Sequence, residues 1–210
     1  MINIDKIKSS DLWYVIGYIA TDGNLSSDGR HLNITSKDRE HLYTLRKALN
    51  LRVKIGSKAR GGGEEKKYSY LQFGDVHFYQ YLLTIGLSTK KSLALGAISI
   101  NDAFFIDFLR GVIDGDGNIS TWLHRTNNHR QWCMRIFSAS PVFIRWLNEK
   151  VREKFNLEGK LYTRITKNRV NPHYIIKFGK KAAAIILKSL YYPNCLSLER
   201  KFLKAQLCLH

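Results

Sequence analysis

The chain is poor in cysteine, in proline and in acidic residues, and each shortage excludes a class of protein. Its 210 residues include 3 cysteines and 3 prolines. Cys133, Cys195 and Cys208 lie too far apart for a zinc site and are too few for a disulfide framework, so we expect reduced thiols. Met1 to Ser10 lack the apolar core of a signal peptide, and no apolar run is long enough to span a membrane. We therefore expect a soluble intracellular protein.

Acidic residues are outnumbered two to one by basic residues. The 17 Asp and Glu stand against 34 Lys and Arg, which gives a net charge of +17. The excess is spread along the chain, because residues 1–100 carry +6 and residues 101–210 carry +11. The positive charge therefore belongs to the folded body rather than to a tail, and this indicates a polyanionic partner, with nucleic acid as the leading candidate.

A ten-residue segment occurs twice, 94 positions apart. Gly17–Ser26 (GYIATDGNLS) returns as Gly111–Ser120 (GVIDGDGNIS), with six identical positions. Each copy reads as an apolar helix that ends in Asp-Gly, with Ser10 or Asp11 as the predicted N-cap of the first. Small residues such as Gly17 and Gly111 let two helix backbones approach closely, so we expect the two helices to contact each other.

The hydrophobic periodicity predicts the same order of elements in both halves: helix, two strands, helix, two strands, helix. No proline- or glycine-rich linker separates the halves, so we expect residues 1–98 and residues 99–210 to pack tightly. The sequence thus predicts an α+β fold of two pseudo-symmetric αββαββα halves.

The two Asp-Gly pairs are the strongest candidates for chemistry. Gly23 and Gly117 are predicted to take the left-handed C-terminal position of their helices, which leaves Asp22 and Asp116 beside unpartnered carbonyls. An acid at the negative end of a helix dipole is unfavourable unless a cation compensates it. Carboxylate and carbonyl oxygens bind Mg²⁺ or Ca²⁺, so this pattern predicts a metal site for phosphodiester hydrolysis.

These motifs resemble those of the LAGLIDADG homing endonuclease family in its single-chain, two-motif form. Val15–Gly23 (VIGYIATDG) and Leu109–Gly117 (LRGVIDGDG) carry the resemblance, which covers nearly the whole chain. It implies two antiparallel DNA-binding sheets, with the motif helices packed at the interface between the halves. It also implies a monomeric, site-specific endonuclease that cuts a long, non-palindromic duplex DNA across the minor groove. The implied cofactor is Mg²⁺, which Mn²⁺ or Ca²⁺ replaces, Ca²⁺ without cleavage, and the implied role is intron or intein mobility.

The resemblance also suggests roles for individual residues. Asp22 and Asp116 correspond to the catalytic metal ligands, together with the carbonyls of Thr21 and Gly115. The remaining positions are basic residues that polarise water or stabilise charge and polar residues that order water, and they correspond to Lys91, Lys201, Ser36 and Ser138. Ala20 replaces an earlier acid that Asp114 keeps in the second motif, which implies two unequal cleavage sites.

The strands supply the predicted DNA contacts. Their alternation places Tyr162, Arg164 and Thr166 on one face, and Gln72 and Lys177 are the matching candidates on other strands. Further basic residues are predicted to contact phosphate, and these are Lys58, Arg60, Lys66, Arg125, Arg130, Lys167 and Arg169. Two other functions remain open on the same fold: an intron RNA-splicing maturase and a catalytically silent DNA-binding regulator.

Overall fold

The computed structural model describes residues 1–59, 67–89, 94–165 and 171–209. The elements of the first half are α1 (Ser9–Asp22), β1 (Gly23–Leu25), β2 (His31–Ser36), α2 (Arg39–Ala48), β3 (Ile55–Lys58), β4 (Tyr68–Gly74) and α3 (Val76–Thr84). The elements of the second half are α4 (Phe105–Asp116), β5 (Gly117–Leu123), β6 (Arg130–Ser138), α5 (Pro141–Phe155), β7 (Lys160–Arg164), β8 (His173–Phe178) and α6 (Lys180–Leu190). The predicted αββαββα order is confirmed in both halves. A further helix, α7 (Glu199–Leu209), follows the seven predicted elements of the second half.

Each half contains one four-stranded antiparallel sheet with the same topology. The strand orders are β1-β2-β4-β3 and β5-β6-β8-β7. Along β2 the burial alternates strictly, with Leu32 and Ile34 buried and Asn33 more exposed. One face of each sheet is therefore covered by helices, and we call the opposite face the open face.

The core is continuous between the halves. α1 and α4 lie at its centre, and Ile16, Ile19, Phe108 and Val112 are fully buried. The motif helices thus pack at the interface, as the sequence predicts. The division at residues 98 and 99 stays a prediction, because the two halves share this core.

The ends of the motif helices differ from the prediction. Gly23 and Gly117 are extended, with φ of −80° at both, rather than left-handed. The chain runs straight from each helix into the first strand of its sheet. Glycine is needed there because a Cβ at Gly23 would lie 2.8 Å from the Ile19 backbone. The N-cap prediction was also wrong, since α1 begins at Ser9 after Lys8, without a side-chain cap.

Arg110 makes the second motif helix different from the first. It is fully buried in α4, and its guanidinium donates to the carbonyls of Leu190 and Leu196 at 2.9 and 2.7 Å. It also pairs with Asp107 at 2.8 Å. These bonds fix α4 to the segment between α6 and α7. Among the described residues, no helix is long and apolar enough to cross a membrane.

Candidate metal centre and nucleic-acid interface

The two motif helices touch through their backbones. A Cβ at Gly17 would lie 2.1 Å from the Phe108 carbonyl oxygen, and a Cβ at Gly111 would lie 2.1 Å from the Tyr14 carbonyl oxygen. Only glycine permits this approach, which brings the C-terminal ends of α1 and α4 to the same place. The predicted close contact is confirmed.

The four candidate metal-binding residues lie at these helix ends. Asp22 is the last residue of α1 and Asp116 the last of α4. Gly115 packs directly on the Thr21 side chain, and the position of a Cβ at Gly115 lies 3.6 Å from Asp22 Oδ2. Asp22 is half-buried, whereas Asp116 is exposed. The Asp22 carboxylate therefore faces the end of the partner helix.

Lys201 lies at the same place and is buried. Its ammonium donates to the carbonyls of Ile113, Asp114 and Gly115 at 2.6, 2.6 and 2.9 Å. Burial lowers the pKa of Lys201 to about 8, while the negative charges of Asp114, Asp22 and Asp116 oppose that shift. Lys201 thus binds three carbonyls in the last turn of α4, one of which, that of Ile113, also accepts from the Gly117 amide, and it lies within the field of both motif acids.

The other predicted members of the site are placed differently. Ser36 Oγ accepts from the Asp38 amide and Ser138 Oγ accepts from the Ser140 amide, each at 3.1 Å. The two serines therefore make the same turn at the same point of each half. Lys91 lies outside the described residues.

Asp114 is the centre of a buried network that the sequence did not predict. Its carboxylate accepts from the Tyr14 hydroxyl, the Tyr191 hydroxyl and the Leu198 amide, each at 2.7 Å. Burial raises the pKa of Asp114, and these three hydrogen bonds oppose the rise. The Tyr14 hydroxyl also lies 3.2 Å from His41 Nε2. At the matching position of α1 stands Ala20, so only the second motif has this network.

Most of the predicted DNA contacts that the structure describes lie on the open faces or in exposed turns. Gln72 is on the open face of the first sheet with Lys58, whose ammonium lies 5.7 Å from the Tyr70 ring centroid. In the second sheet the register places Tyr162, Arg164 and Lys177 together on the open face, as predicted.

Two further predicted phosphate contacts lie around the turn between β5 and β6. Arg125 is exposed in that turn. Arg130 instead shares the helix-covered face of β6 with Met134, and its guanidinium reaches the Leu207 carbonyl of α7 at 3.5 Å. Five predicted contacts lie outside the described residues, namely Arg60, Lys66, Thr166, Lys167 and Arg169.

Several open-face residues were not among the predicted contacts. Asn24, Asn33, Asn118 and Arg135 are on the open faces by their register with Gln72 and Lys177. The two-residue alternation that begins at Leu25, Leu32 and Ile119 carries the signal that would have identified them.

Comparison with known proteins agrees with this geometry. Residues 9–94 match the model of the LAGLIDADG-like domain family. The chain is a two-motif protein of the LAGLIDADG fold. None of the curated proteins matches its sequence.

Solved LAGLIDADG structures superpose on nearly the whole chain. The homing endonuclease I-WcaI bound to its DNA recognition sequence has a TM-score of 0.63 and 12% identity, over 95% of this chain and 87% of that one. I-DmoI in complex with DNA and Ca gives 0.58 and 15%, over 93% and 97%. The N-terminal LAGLIDADG domain of DUF199/WhiA gives 0.58 and 16%, over 97% and 91%. The chain spans 63% of full-length DUF199/WhiA from Thermatoga maritima. At these identities the likeness shows the fold.

Proposed function

We propose that the protein is a divalent-metal-dependent, site-specific endonuclease that cuts both strands of a long, non-palindromic DNA across the minor groove. The observation that carries this proposal is the pair of acids, because Asp22 and Asp116 end two helices that contact each other through glycine backbones. A pseudo-symmetric pair of carboxylates suits a reaction that must occur once on each of two antiparallel strands.

The residues at the helix ends fit a hard divalent cation. Among residues 1–59, 67–89, 94–165 and 171–209, no three His, Cys, Asp or Glu side chains are grouped as ligands. Two carboxylates, the Thr21 carbonyl and phosphate oxygens of DNA form the kind of oxygen set that Mg²⁺ accepts, whereas the Gly115 carbonyl, the fourth predicted ligand, already accepts from the Lys201 ammonium at 2.9 Å. We propose Mg²⁺ as the cofactor, with Mn²⁺ as a substitute and with Ca²⁺ supporting binding without cleavage. A bound cation would supply Lewis-acid activation of water and of the scissile phosphate.

The chain's own residues supply orientation and charge. Asp22 and Asp116 would hold the cations between the helix ends and the DNA. Lys201 places a positive charge at the carbonyl end of α4, close to the two motif acids. Lys91 remains the candidate of the first half for the basic residue that polarises water or stabilises charge. Ser36 and Ser138 are the proposed water-ordering positions.

DNA as the partner is supported by charge and by the open faces. The net charge is +17, and the open faces present polar and basic side chains on both sides of the paired acids. Similar structures include homing endonucleases bound to DNA. The unequal loops and charges of the halves favour an asymmetric target, bound by one chain as a monomer.

The fold alone does not carry an enzymatic function. DUF199/WhiA has a similar fold, and its name gives no nuclease activity. What favours the nuclease over a silent DNA-binding regulator is the presence of an acid at the end of each motif helix. An intron RNA-splicing maturase would not need either acid.

Cleavage of a randomised duplex DNA library in Mg²⁺ tests the proposal. We expect double-strand cuts within one long consensus, and a loss of roughly 100-fold or more in rate in Asp22→Asn and in Asp116→Asn. Asp5→Asn is the matched control, because Asp5 is an exposed acid in the N-terminal turn. Retention of DNA in Ca²⁺ by both acid variants would separate lost chemistry from lost binding. Uncut DNA with full binding by the unmodified protein would favour the regulator.

A further inference from the structure

A row of side chains crosses each open face just beyond the motif acid. In the first sheet Asn24 lies two residues after Asp22, and it is directly opposite Asn33, which is directly opposite Gln72. Neighbouring strands are about 4.8 Å apart, so a row across three strands spans roughly 10 Å, comparable with the width of a DNA major groove. The row therefore has the size to contact adjacent base edges.

The corresponding row of the second sheet has a different chemistry. Asn118 lies two residues after Asp116 and is opposite Arg135, which is opposite Lys177. On the edge strands, Lys160 is opposite Lys177, and Lys54, just before Ile55, occupies the corresponding place in the first sheet, so the rows differ only in their first three members. Position by position, the first row is three neutral carboxamides, whereas the second is one carboxamide followed by two cations.

Contacts within each row orient its side chains. In the first sheet Asn33 Nδ2 donates to Gln72 Oε1 at 3.3 Å, and Thr35 Oγ1 donates to Asn33 Oδ1 at 3.0 Å. In the second sheet the Arg135 guanidinium donates to Ser120 Oγ at 3.3 Å, and the Ser120 hydroxyl donates to Asn118 Oδ1. These bonds orient the carboxamides of Asn33, Gln72 and Asn118 and the guanidinium of Arg135 above the open face.

The two rows match different bases. A carboxamide has a donor beside an acceptor, which is the pair that adenine presents in the major groove as N7 and N6–H. A guanidinium or an ammonium has only donors, which match the two acceptors of guanine, N7 and O6. The charge difference also makes the second row the stronger contact with the DNA polyanion.

We propose that the target is divided in base composition, with A·T pairs beneath the Asn24–Asn33–Gln72 row and G·C pairs beneath the Asn118–Arg135–Lys177 row. Both rows read the positions next to the paired motif acids. The inference rests on the proposed function only in requiring duplex DNA as the ligand, and it does not require cleavage.

The chain itself provides the matched variant. The double substitution Arg135→Asn with Lys177→Gln makes the second row chemically equal to the first. The reciprocal double substitution is Asn33→Arg with Gln72→Lys. Arg145→Asn with Lys154→Gln is the control, because it removes the same two charges from exposed positions of α5.

The test is selection by binding from a duplex library in Ca²⁺, followed by sequencing of the retained DNA. We expect the unmodified protein to retain sites with adenine runs on one side and guanine runs on the other. R135N/K177Q should reduce the guanine preference by roughly 5- to 100-fold at one to three positions and replace it with adenine. N33R/Q72K should do the opposite in the other half, and the α5 control should leave both halves unchanged.

Three results separate this inference from the proposed nuclease. Retained DNA with the same base preference in both halves, or a preference that the row variants leave unaltered, would overturn the inference while DNA binding stands. The expected preferences without cutting in Mg²⁺ would support the inference and remove the nuclease. Failure to retain any duplex DNA would remove both.

Discussion

At the scale of single residues, Lys201 is the one of the two candidate catalytic lysines that lies within the described residues. It is 4% exposed, and its ammonium is the hydrogen-bond donor to three carbonyls at the end of α4. Lys201→Met should destabilise the fold by about 2 kcal/mol, since buried carbonyls lose their partner. Urea unfolding measures this loss, and Lys204→Met on the exposed side of α7 is the control. Equal midpoints for the two variants would contradict the assigned contact.

A second prediction at this scale concerns His41. Burial lowers its pKa to about 4, against an unfolded value near 6.5, and Lys201 and Arg200 lower it further while Asp38 and the Ser197 carbonyl oppose them. The unfolded state therefore binds the proton more readily between these values, so stability is complete above pH 6.5 and falls as the pH drops toward 4.

The size of this effect follows from the two pKa values. Between pH 7 and pH 5 the loss attributable to His41 is about 2 kcal/mol. Urea unfolding at several pH values should show a flatter profile for His41→Gln than for the unmodified chain. His124→Gln, at an exposed position, should keep the original slope. If both variants follow the unmodified profile, His41 does not stay neutral in the folded state.

Residue-level prediction from sequence was possible where the signal was repeated along the chain, and the roles of the residues so identified stay predictions. Asp22 and Asp116 were identified because the same ten-residue pattern occurs twice. The network around Asp114 was not, because its partners Tyr14, Tyr191 and Leu198 are 77 to 100 residues away. No local pattern records such contacts, and the only sign was that Asp114 has no acidic counterpart at Ala20.

At the scale of elements, the contact between α1 and α4 is where a small change has the largest expected effect. Alanine at Gly17 or Gly111 would gain about 1 kcal/mol of helix propensity, but its Cβ would collide with a carbonyl of the facing helix. The helices would have to separate, so we expect net destabilisation of about 2 kcal/mol and a lower Tm. Gly96→Ala is the control, since nothing lies within 4 Å of its added Cβ. A Tm that rises in Gly17→Ala would contradict the backbone contact.

The elements themselves were largely predictable, and their ends were not. The sequence patterns located six of the eight described strands, whereas β1 and β5 were not located individually, because they continue directly from the motif helices. The ends of α1 and α4 were wrong in conformation, because Asp-Gly commonly signals a left-handed stop. Here the extended glycine continues into the sheet, and glycine is required by the local contact with Ile19 or Ile113, four residues earlier in the same helix. α7 was anticipated only as a lysine-bearing segment, although it carries Lys201 to the candidate site.

At the scale of the whole molecule, the charge excess predicts strongly salt-dependent DNA binding. Each phosphate neutralised by a cation contributes about 0.9 to the slope of log K against log salt concentration. Removing a cation from the DNA side should therefore reduce the slope, whereas removing one from the helix-covered side should leave the slope unchanged. Both substitutions lower the net charge of +17 by the same amount.

Lys58 and Arg125 are cations on the proposed DNA side, and Arg145 on α5 is a cation on the helix-covered side. Binding titrations at several salt concentrations in Ca²⁺ should show the slope falling by about one unit in Lys58→Ala and in Arg125→Ala. Arg145→Ala should leave it unchanged. An equal fall in all three variants would mean that binding follows the net charge of the molecule rather than a defined face. The open faces would then not be the DNA-binding surface, even if DNA remained the ligand.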